Sequence, residues 1–138
     1  MNLLELKTED IFLDEGYMVG GKKTKVGKNR IVPIHKEIKH LIKSIFDSKN
    51  KYLIVNKKSN RISYRYYMIY CWNKIKEDIG FKQTPHSTRH TFITYSLRCG
   101  SSRDIIQKIV GHKGDMTDRY NHVTLEHLKY EINKLKYI

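Results

Sequence analysis

The sequence is poor in cysteine, in acidic residues and in long apolar runs, and each shortage excludes a class of protein. The two cysteines, Cys71 and Cys99, are too few for a disulfide framework, lack the Cys-x-x-Cys spacing of zinc sites, and suit a reducing cytosol. No apolar run approaches the ~20 residues that span a bilayer, and no secretory signal follows Met1. No acidic cluster is available to hold magnesium. We therefore expect a cytoplasmic protein without membrane association or a bound metal.

Positive charge is what the sequence has in excess. Its 138 residues include 27 lysines and arginines but only 14 aspartates and glutamates, which gives a net charge of +13. Such an imbalance indicates a polyanionic partner, namely DNA, RNA or an anionic membrane surface. The length suits one domain with a sizeable core, and neither an internal repeat nor a low-complexity linker divides it. We therefore treat residues 1–138 as a single domain.

Hydrophobic periodicity predicts an α+β fold that is mainly α. Short apolar runs predict three strands, which a turn and a glycine- and lysine-rich hairpin tip would join into a small antiparallel sheet. The strands cover residues 10–13, 17–20 and 30–34. Apolar residues at helical spacing predict a bundle of helices packed on this sheet. The helices cover residues 35–46, 64–79, 87–98, 101–111 and 124–137, with a helical turn from Thr117 and a buried strand or extended connector at residues 52–55.

Local signals indicate where these helices begin and end and which side of each faces the core. Ser63 and Thr124 suit N-cap positions, and Ser101 with Asp104 resembles a capping box. Glycines end three of the helices, at Gly80, Gly100 and Gly111. Two helices have predicted apolar faces, consisting of Ile38, Leu41, Ile42, Ile45 and Phe46 in the first and of Tyr64, Met68, Cys71, Trp72, Ile75 and Ile79 in the second.

Side chains that could bind and attack a phosphodiester are concentrated late in the sequence. Arg89 offers a planar fork that matches two phosphate oxygens, and His86 lies three residues earlier, on the same helix face. His112 directly follows a helix stop, and Tyr120 supplies an oxygen nucleophile. A hairpin lysine, Lys25 or a neighbour, would complete a set of donors around one phosphate. Such a set stabilises a charged transition state without a metal.

Each of these residues also has an ordinary structural explanation. Tyr120 is one of ten tyrosines, most of which would pack, and lysines on a hairpin commonly guard a sheet edge. His90 is expected to pack or bond within its helix. His86 and His90 have the spacing of a zinc pair, but no glutamate lies between them and no third ligand is evident, so we predict no metal site.

The order and spacing of these residues resemble one family. The motif His86-x-x-Arg89-His90-Thr91-Phe92 is followed by Gly100, Ile109-Val110-Gly111-His112, Thr117, Tyr120 and His122. This pattern resembles the C-terminal half of the tyrosine recombinases of the phage integrase family. Residues 3–11 resemble the segment after that family's first catalytic arginine, and residues 25–34 resemble its β-hairpin. The resemblance covers essentially the whole chain and implies the tyrosine-recombinase catalytic-domain fold.

The resemblance implies a catalytic role for five residues. Arg89 would grip a nonbridging oxygen of the scissile phosphate, His86 would act as the acid/base group, and His112 would bond the phosphate. Lys25 would protonate the leaving 5′ oxygen, and Tyr120 would form the 3′-phosphotyrosine. Storing the bond covalently requires neither a metal, ATP nor another cofactor. Basic residues expected to contact DNA are Lys22, Lys23, Lys28, Arg30, Lys57, Lys58, Arg61 and Arg65.

The implied function is site-specific DNA recombination, such as integration of a mobile genetic element. The partners are double-stranded DNA and further copies of the protein, which assemble on DNA as a tetrameric synapse in this family. The helix at residues 124–137 would either dock on a neighbouring protomer or fold back on its own domain. We expect the first catalytic arginine just upstream of Met1, with Asn2 at a position that is usually acidic. The chain would then be a partial catalytic domain that lacks the DNA-clamping domain.

Three other functions compete with this interpretation. The chain could be a catalytically impaired DNA-binding remnant of an integrase. It could be a type IB topoisomerase, which shares the chemistry, although the short hairpin and C-terminal layout favour a recombinase. It could also be a basic RNA-binding protein, which would expose aromatic side chains for stacking on bases. We assign Tyr64, Tyr67 and Tyr70 to packing, which makes RNA binding the weakest alternative.

Overall fold

A three-stranded antiparallel sheet occupies the N-terminal part of the chain. The computed structural model describes residues 3–20, 29–111 and 122–136. The strands are β1 (Ile11–Phe12), β2 (Tyr17–Gly20) and β3 (Arg30–Pro33), in the order β1-β2-β3. Met18 in the central strand pairs with Ile11 on one side and with Val32 on the other. The predicted sheet is therefore confirmed, with the outer strands slightly shorter than expected.

Helices make up most of the remaining described chain. Two 3₁₀ turns, Leu3–Glu5 and Thr8–Asp10, precede the sheet. The helices are α1 (Lys36–Ile45), α2 (Tyr64–Tyr66), a π-helical segment (Tyr67–Trp72), α3 (Asn73–Ile79), α4 (Pro85–Arg98), α5 (Arg103–Val110) and α6 (Leu125–Ile132). Residues 52–55, predicted as a buried strand or an extended connector, form an extended connector. It makes isolated bridges from Tyr52 to Lys7 and from Val55 to Arg61. The turn expected from Thr117 begins outside the described residues.

Most predicted helix boundaries agree to within two residues, but the last helix ends at Ile132 instead of residue 137, and the capping box is wrong. The Ser63 side chain accepts a hydrogen bond at the start of α2, and Thr124 does the same for α6. The N-cap of α5 is Ser102, which makes no side-chain cap bond. Its N–H donates instead to Oε2 of Glu131 at 2.7 Å, and the Ser101 hydroxyl donates to the Glu131 carbonyl at 3.0 Å. The start of α5 is thus satisfied by α6, a partner that local sequence cannot reveal.

Two apolar clusters meet at β3. One consists of Leu6, Ile11, Met18, Ile34 and Leu53, and α1 packs on it. The other consists of Ile106, Ile109 and Leu128, and α4 packs on it through Phe92 and Ile93. Val32 contacts both clusters, so β3 joins the sheet to the helical bundle. The described part of the last helix folds back on its own domain, because Leu128, Ile132 and Leu135 are all buried there.

The predicted apolar faces of two helices are wrong in part. On α1, Ile38, Ile42 and Phe46 pack on the first cluster, whereas Leu41 and Ile45 are about half exposed. The packed residues form a single i, i+4 row, and the neighbouring row faces solvent. From 64 to 79 only Trp72 is buried, and the residues that are exposed against expectation are Tyr64, Ile75 and Ile79. The π-helical segment changes the number of residues per turn, which shifts the phase of the face beyond it.

His35 ties α1 to the C-terminal end of the described chain. It is 1% exposed, and its Nδ1 accepts the N–H of Glu37 at 3.0 Å. Because Nδ1 is an acceptor, the neutral ring carries its proton on Nε2, which lies 3.0 Å from the carbonyl oxygen of Leu135 and donates to it. One buried imidazole therefore both caps a helix and fixes the chain that follows α6.

Replacing His35 with leucine should lower the free energy of unfolding by about 1–3 kcal/mol. The substitution roughly preserves volume but leaves the Leu135 carbonyl and the Glu37 N–H without their partner. Urea denaturation would measure the loss. The matched control is His40→Leu on the exposed side of α1, where we expect a change within about 0.5 kcal/mol. Equal effects of the two substitutions would contradict the proposed structural role of His35.

Candidate active site

The candidate site is built on the first turn of α4, whose start is held by the residues before it. Trp72 is buried, donates from Nε1 to the Gln83 carbonyl at 3.1 Å, and meets the Phe81 ring edge-on at a centroid distance of 5.6 Å. Thr84 is the extended N-cap residue, and Pro85 opens the helix with a φ already suited to it. The position of the first turn is thereby anchored to the π-helical segment.

Arg89 lies at the boundary between the buried and exposed sides of α4. Phe92 and Ile93, three and four residues later, pack on the second apolar cluster. Ser96 is fully buried, and its hydroxyl donates to the Phe92 carbonyl at 2.7 Å. Arg89 is consequently half-buried, while His86, one turn earlier, is exposed. The helix thus presents an exposed imidazole and a partly desolvated guanidinium side by side, as their spacing predicts.

His90 was expected to pack or bond within its helix, and it does contact a ring of α4, but it is not on the buried face. His90 is exposed, and its ring lies edge-on to that of His86 at a centroid distance of 5.0 Å. It lines a shallow surface pocket with Thr91, Thr94 and residues further along α4. Successive side chains of an α-helix are rotated by about 100° from one another. His90, the residue after Arg89, therefore points away from the buried face. Within residues 3–20, 29–111 and 122–136, no group of three metal-ligating side chains accompanies the two histidines.

The Arg30 side chain extends from the sheet to this site, which was not expected from the sequence. Side chains alternate along a strand, so Arg30 shares the face of β3 on which Val32 packs against the helices. Its guanidinium lies against Gly111, at the end of α5. An added Cβ on Gly111 would be 2.7 Å from Nη1 and 3.2 Å from Cζ of Arg30. Arg30 was expected only as a DNA contact near the hairpin; the alternation with a core valine was the signal for its inward direction.

The charges of Arg30 and Arg89 act on each other. Burial, and in second place the positive charge of Arg89, lower the pKa of Arg30 below its usual value. The Nε of Arg30 is buried and has no hydrogen-bond partner among the described residues. No carboxylate in the described ranges forms an ion pair with either guanidinium. Two neighbouring cationic forks without an ion-pair partner among the described residues are suited to an anion with several oxygens, such as a phosphate.

The other predicted site residues are distributed over three places. Lys57 and Lys58 are exposed in the turn after the connector, and Arg65 is exposed on α2. Arg61 is also exposed but lies 3.5 Å from a Glu5 carboxylate oxygen, so part of its charge is already neutralised. The remaining predicted site residues lie outside the described residues, namely Lys22, Lys23, Lys25, Lys28, His112 and Tyr120.

The tyrosines that we assigned to packing are in fact largely exposed. Tyr64 and Tyr70 are 60% and 63% exposed, and the Tyr70 ring lies 4.7 Å from that of Tyr66. Tyr67 is half-buried, and burial raises the pKa of its hydroxyl. The assignment is wrong for Tyr64 and Tyr70 because only Trp72 is buried between residues 64 and 79, so most of this helical surface faces solvent. The aromatic surface expected of a nucleic-acid-binding helix is therefore present, next to the basic Arg65.

Gly111→Ala should destabilise the protein and displace Arg30. Gly111 has a φ of +69°, which costs a residue with a Cβ about 1–2 kcal/mol, and the new methyl group would collide with the guanidinium. Gly80→Ala is the matched control, because Gly80 has a φ of +74° and nothing within 4 Å of an added Cβ. We expect the two variants to lose similar unfolding free energy in urea. Only Gly111→Ala should also lose activity at the proposed site; equal activity would contradict the contact.

Comparison with known proteins identifies the class to which this fold and site belong. Residues 1–127 match the Phage integrase family, and the chain belongs to that family. This confirms the resemblance described above. The chain is 35% identical over 146 residues to the tyrosine recombinase XerA of Pyrococcus horikoshii, covering 99% of this chain and 50% of the relative. It is 34% identical to XerA of Saccharolobus solfataricus, covering 96% of this chain and 44% of the relative.

A solved structure supports the same assignment. The crystal structure of a XerA recombinase matches with a TM-score of 0.65 and 33% identity, covering 93% of this chain and 49% of that one. The expected α+β fold, mainly helical with a small three-stranded sheet, is thus confirmed. The chain spans about half the length of the curated relatives it matches. No helix in the described part of the chain has the length and apolar character needed to cross a membrane.

Proposed function

We propose that this chain is the catalytic part of a site-specific DNA recombinase that cleaves and rejoins strands through Tyr120. The tyrosine oxygen attacks the scissile phosphorus, a 3′-phosphotyrosine forms, and the 5′ oxygen leaves with a proton. Attack by the 5′-hydroxyl of a second strand reverses the step and exchanges the strands. Because the phosphodiester energy is kept in the covalent bond, the reaction needs neither ATP nor a metal.

The observation that carries this proposal is the half-buried Arg89, one helical turn after the exposed His86, near the anchored start of α4. A fixed, partly desolvated guanidinium without a described carboxylate partner is ready to bind a phosphate oxygen. His86 would act as the acid/base group one helical turn away. Arg89 is also close enough to α5 to influence Arg30 beneath Gly111, the residue directly before His112.

Three further residues have roles that rest on family membership. His112 would donate to the same phosphate, Lys25 on the hairpin would protonate the leaving oxygen, and Tyr120 would be the nucleophile. The DNA duplex would be held by the basic residues of the hairpin, the turn after the connector and α2, since neutralised phosphates supply most of the sequence-independent affinity. Exposed Lys57, Lys58 and Arg65 support this part of the proposal.

Copies of the protein would assemble on DNA, because strand exchange requires two duplexes to be cut together. A tetramer is the assembly we propose. The last helix is a poor candidate for holding it through its apolar face, since Leu128 and Ile132 are buried within their own domain. An interface through residues 124–137 would need that face to detach or would use the exposed side of α6.

Covalent trapping on a nicked DNA substrate tests the proposed function. The nick lies close to the cleavage site, so a short 5′-hydroxyl fragment diffuses away and the protein remains attached to the 3′ end. We expect a covalent adduct on a denaturing gel when the protein is expressed from its complete reading frame. DNA binding without any adduct would instead favour the alternative of a catalytically impaired, DNA-binding integrase remnant.

A further inference from the structure

Arg30 is a half-buried cation for which the described protein supplies no counter-ion. Its Nε is buried without a hydrogen-bond partner, and the carboxylates that form ion pairs in the described ranges pair with other cations. Burying a charged donor in this way is unfavourable unless another group meets it. The like charge of Arg89 also acts on it and makes the position still less favourable.

The fold holds this cation in place from two sides. Arg30 pairs with Gly20 at the end of the β2–β3 ladder, and Val32 on the same face is locked between both apolar clusters. On the other side, the guanidinium lies against the bare Cα of Gly111, which only a residue without a Cβ permits at this distance. Holding the arginine beside the site therefore costs free energy of folding. This pattern is typical of a group kept for binding rather than for stability.

We propose that Arg30 is a further phosphate-binding arginine of the active site, contacting from the sheet the same scissile phosphate that Arg89 contacts from α4. This proposal rests on the proposed function, since it takes the ligand to be a phosphodiester undergoing cleavage. The negative charge on the nonbridging oxygens grows as the tyrosine oxygen adds to phosphorus. Two guanidiniums that repel each other in the free protein both become stabilised when that charge lies between them.

The first test compares Arg30→Met with Arg103→Met in the nicked-DNA assay. Methionine keeps much of the stem but removes the charge, and Arg103 is an exposed arginine at the opposite end of α5 from Gly111. We expect Arg30→Met to slow adduct formation about a hundredfold or more, and Arg103→Met to have no effect. An Arg30→Met variant that reacts as fast as the control would overturn the proposal.

A change in the substrate separates phosphate contact from structural support. A methylphosphonate at the scissile position replaces one charged nonbridging oxygen with a neutral methyl group. If Arg30 neutralises that oxygen, wild type and Arg30→Met should cleave the methylphosphonate at similar rates. If Arg30 only supports Gly111, the cleavage rate of the variant should fall by the same factor on both substrates, and the proposal fails. Urea denaturation gives a second readout: Arg30→Met should be no less stable than Arg103→Met.

A binding measurement keeps the test independent of catalysis. The Nε–H resonance of Arg30 in an NMR spectrum should shift when the nicked duplex carrying a natural phosphate is added, and should not shift with the methylphosphonate duplex. A shift restricted to exposed arginines such as Arg65 would refute the proposal even in an active enzyme. An Arg30 shift without any adduct would retain the phosphate contact while the proposed cleavage function failed.

Discussion

Tyr120→Phe will abolish the covalent protein–DNA adduct while leaving DNA binding intact. The substitution removes only the phenolic oxygen, so the charge that attracts the duplex does not change, but no atom remains to bond to phosphorus. The measurement is the adduct band on a denaturing gel, taken beside an electrophoretic mobility shift of the same nicked duplex. Loss of the band with an unchanged mobility shift identifies Tyr120 as the nucleophile.

The control for this variant is Tyr130→Phe. Tyr130 is 66% exposed on α6 and contacts Lys134 through its ring, which phenylalanine retains. We expect Tyr130→Phe to form the adduct at the wild-type rate. If Tyr120→Phe still formed an adduct, another side chain would be the nucleophile and the proposed mechanism would be wrong.

Arg89→Lys should slow adduct formation by about 100- to 1,000-fold, which corresponds to about 2.7–4 kcal/mol of transition-state stabilisation. Lysine keeps the positive charge but not the planar fork that donates two parallel hydrogen bonds to phosphate oxygens. The half-buried position of Arg89 limits how far the lysine ammonium can move to compensate. Single-turnover rates on the nicked duplex at saturating protein would measure the effect on the chemical step.

Arg98→Lys is the matched control, because Arg98 lies exposed at the far end of the same helix. Its adduct rate should equal that of the unaltered protein, and both variants should unfold at similar urea concentrations. If Arg89→Lys lost no more than Arg98→Lys, charge alone would suffice at position 89 and a bidentate phosphate contact would be excluded.

Much of the fold was predictable from the sequence because its determinants are local. Short apolar runs located the strands, helical spacing located the helices, and glycines such as Gly80 and Gly111 marked helix ends with the left-handed φ that favours glycine. The His86-x-x-Arg89 spacing likewise placed both residues on one helix face, and the family assignment followed from the order of short motifs. Each of these signals involves residues within a few positions of one another.

The errors arose where distant residues decide the outcome. The capping box failed because Glu131 of α6 supplies the partners at the start of α5. Tyr64 and Tyr70 are exposed because the rest of the domain buries only Trp72 between residues 64 and 79. Nothing in the sequence near His35 indicates that it is buried against the chain after α6, because its partner, the Leu135 carbonyl, lies a hundred residues away.

The sequence by itself determined the family, the mainly helical α+β fold and the residue types of the proposed phosphate site, because spacing and composition encode them. Only the tertiary structure decided that Arg30, far from Arg89 in the chain, lies near enough to act on its charge. It also decided that position 111 needs glycine for two reasons: the backbone there has a positive φ, and the Arg30 guanidinium approaches too closely for a Cβ. The physical reason is that β3 packs on α5, and this long-range contact brings together two cations that no local pattern connects.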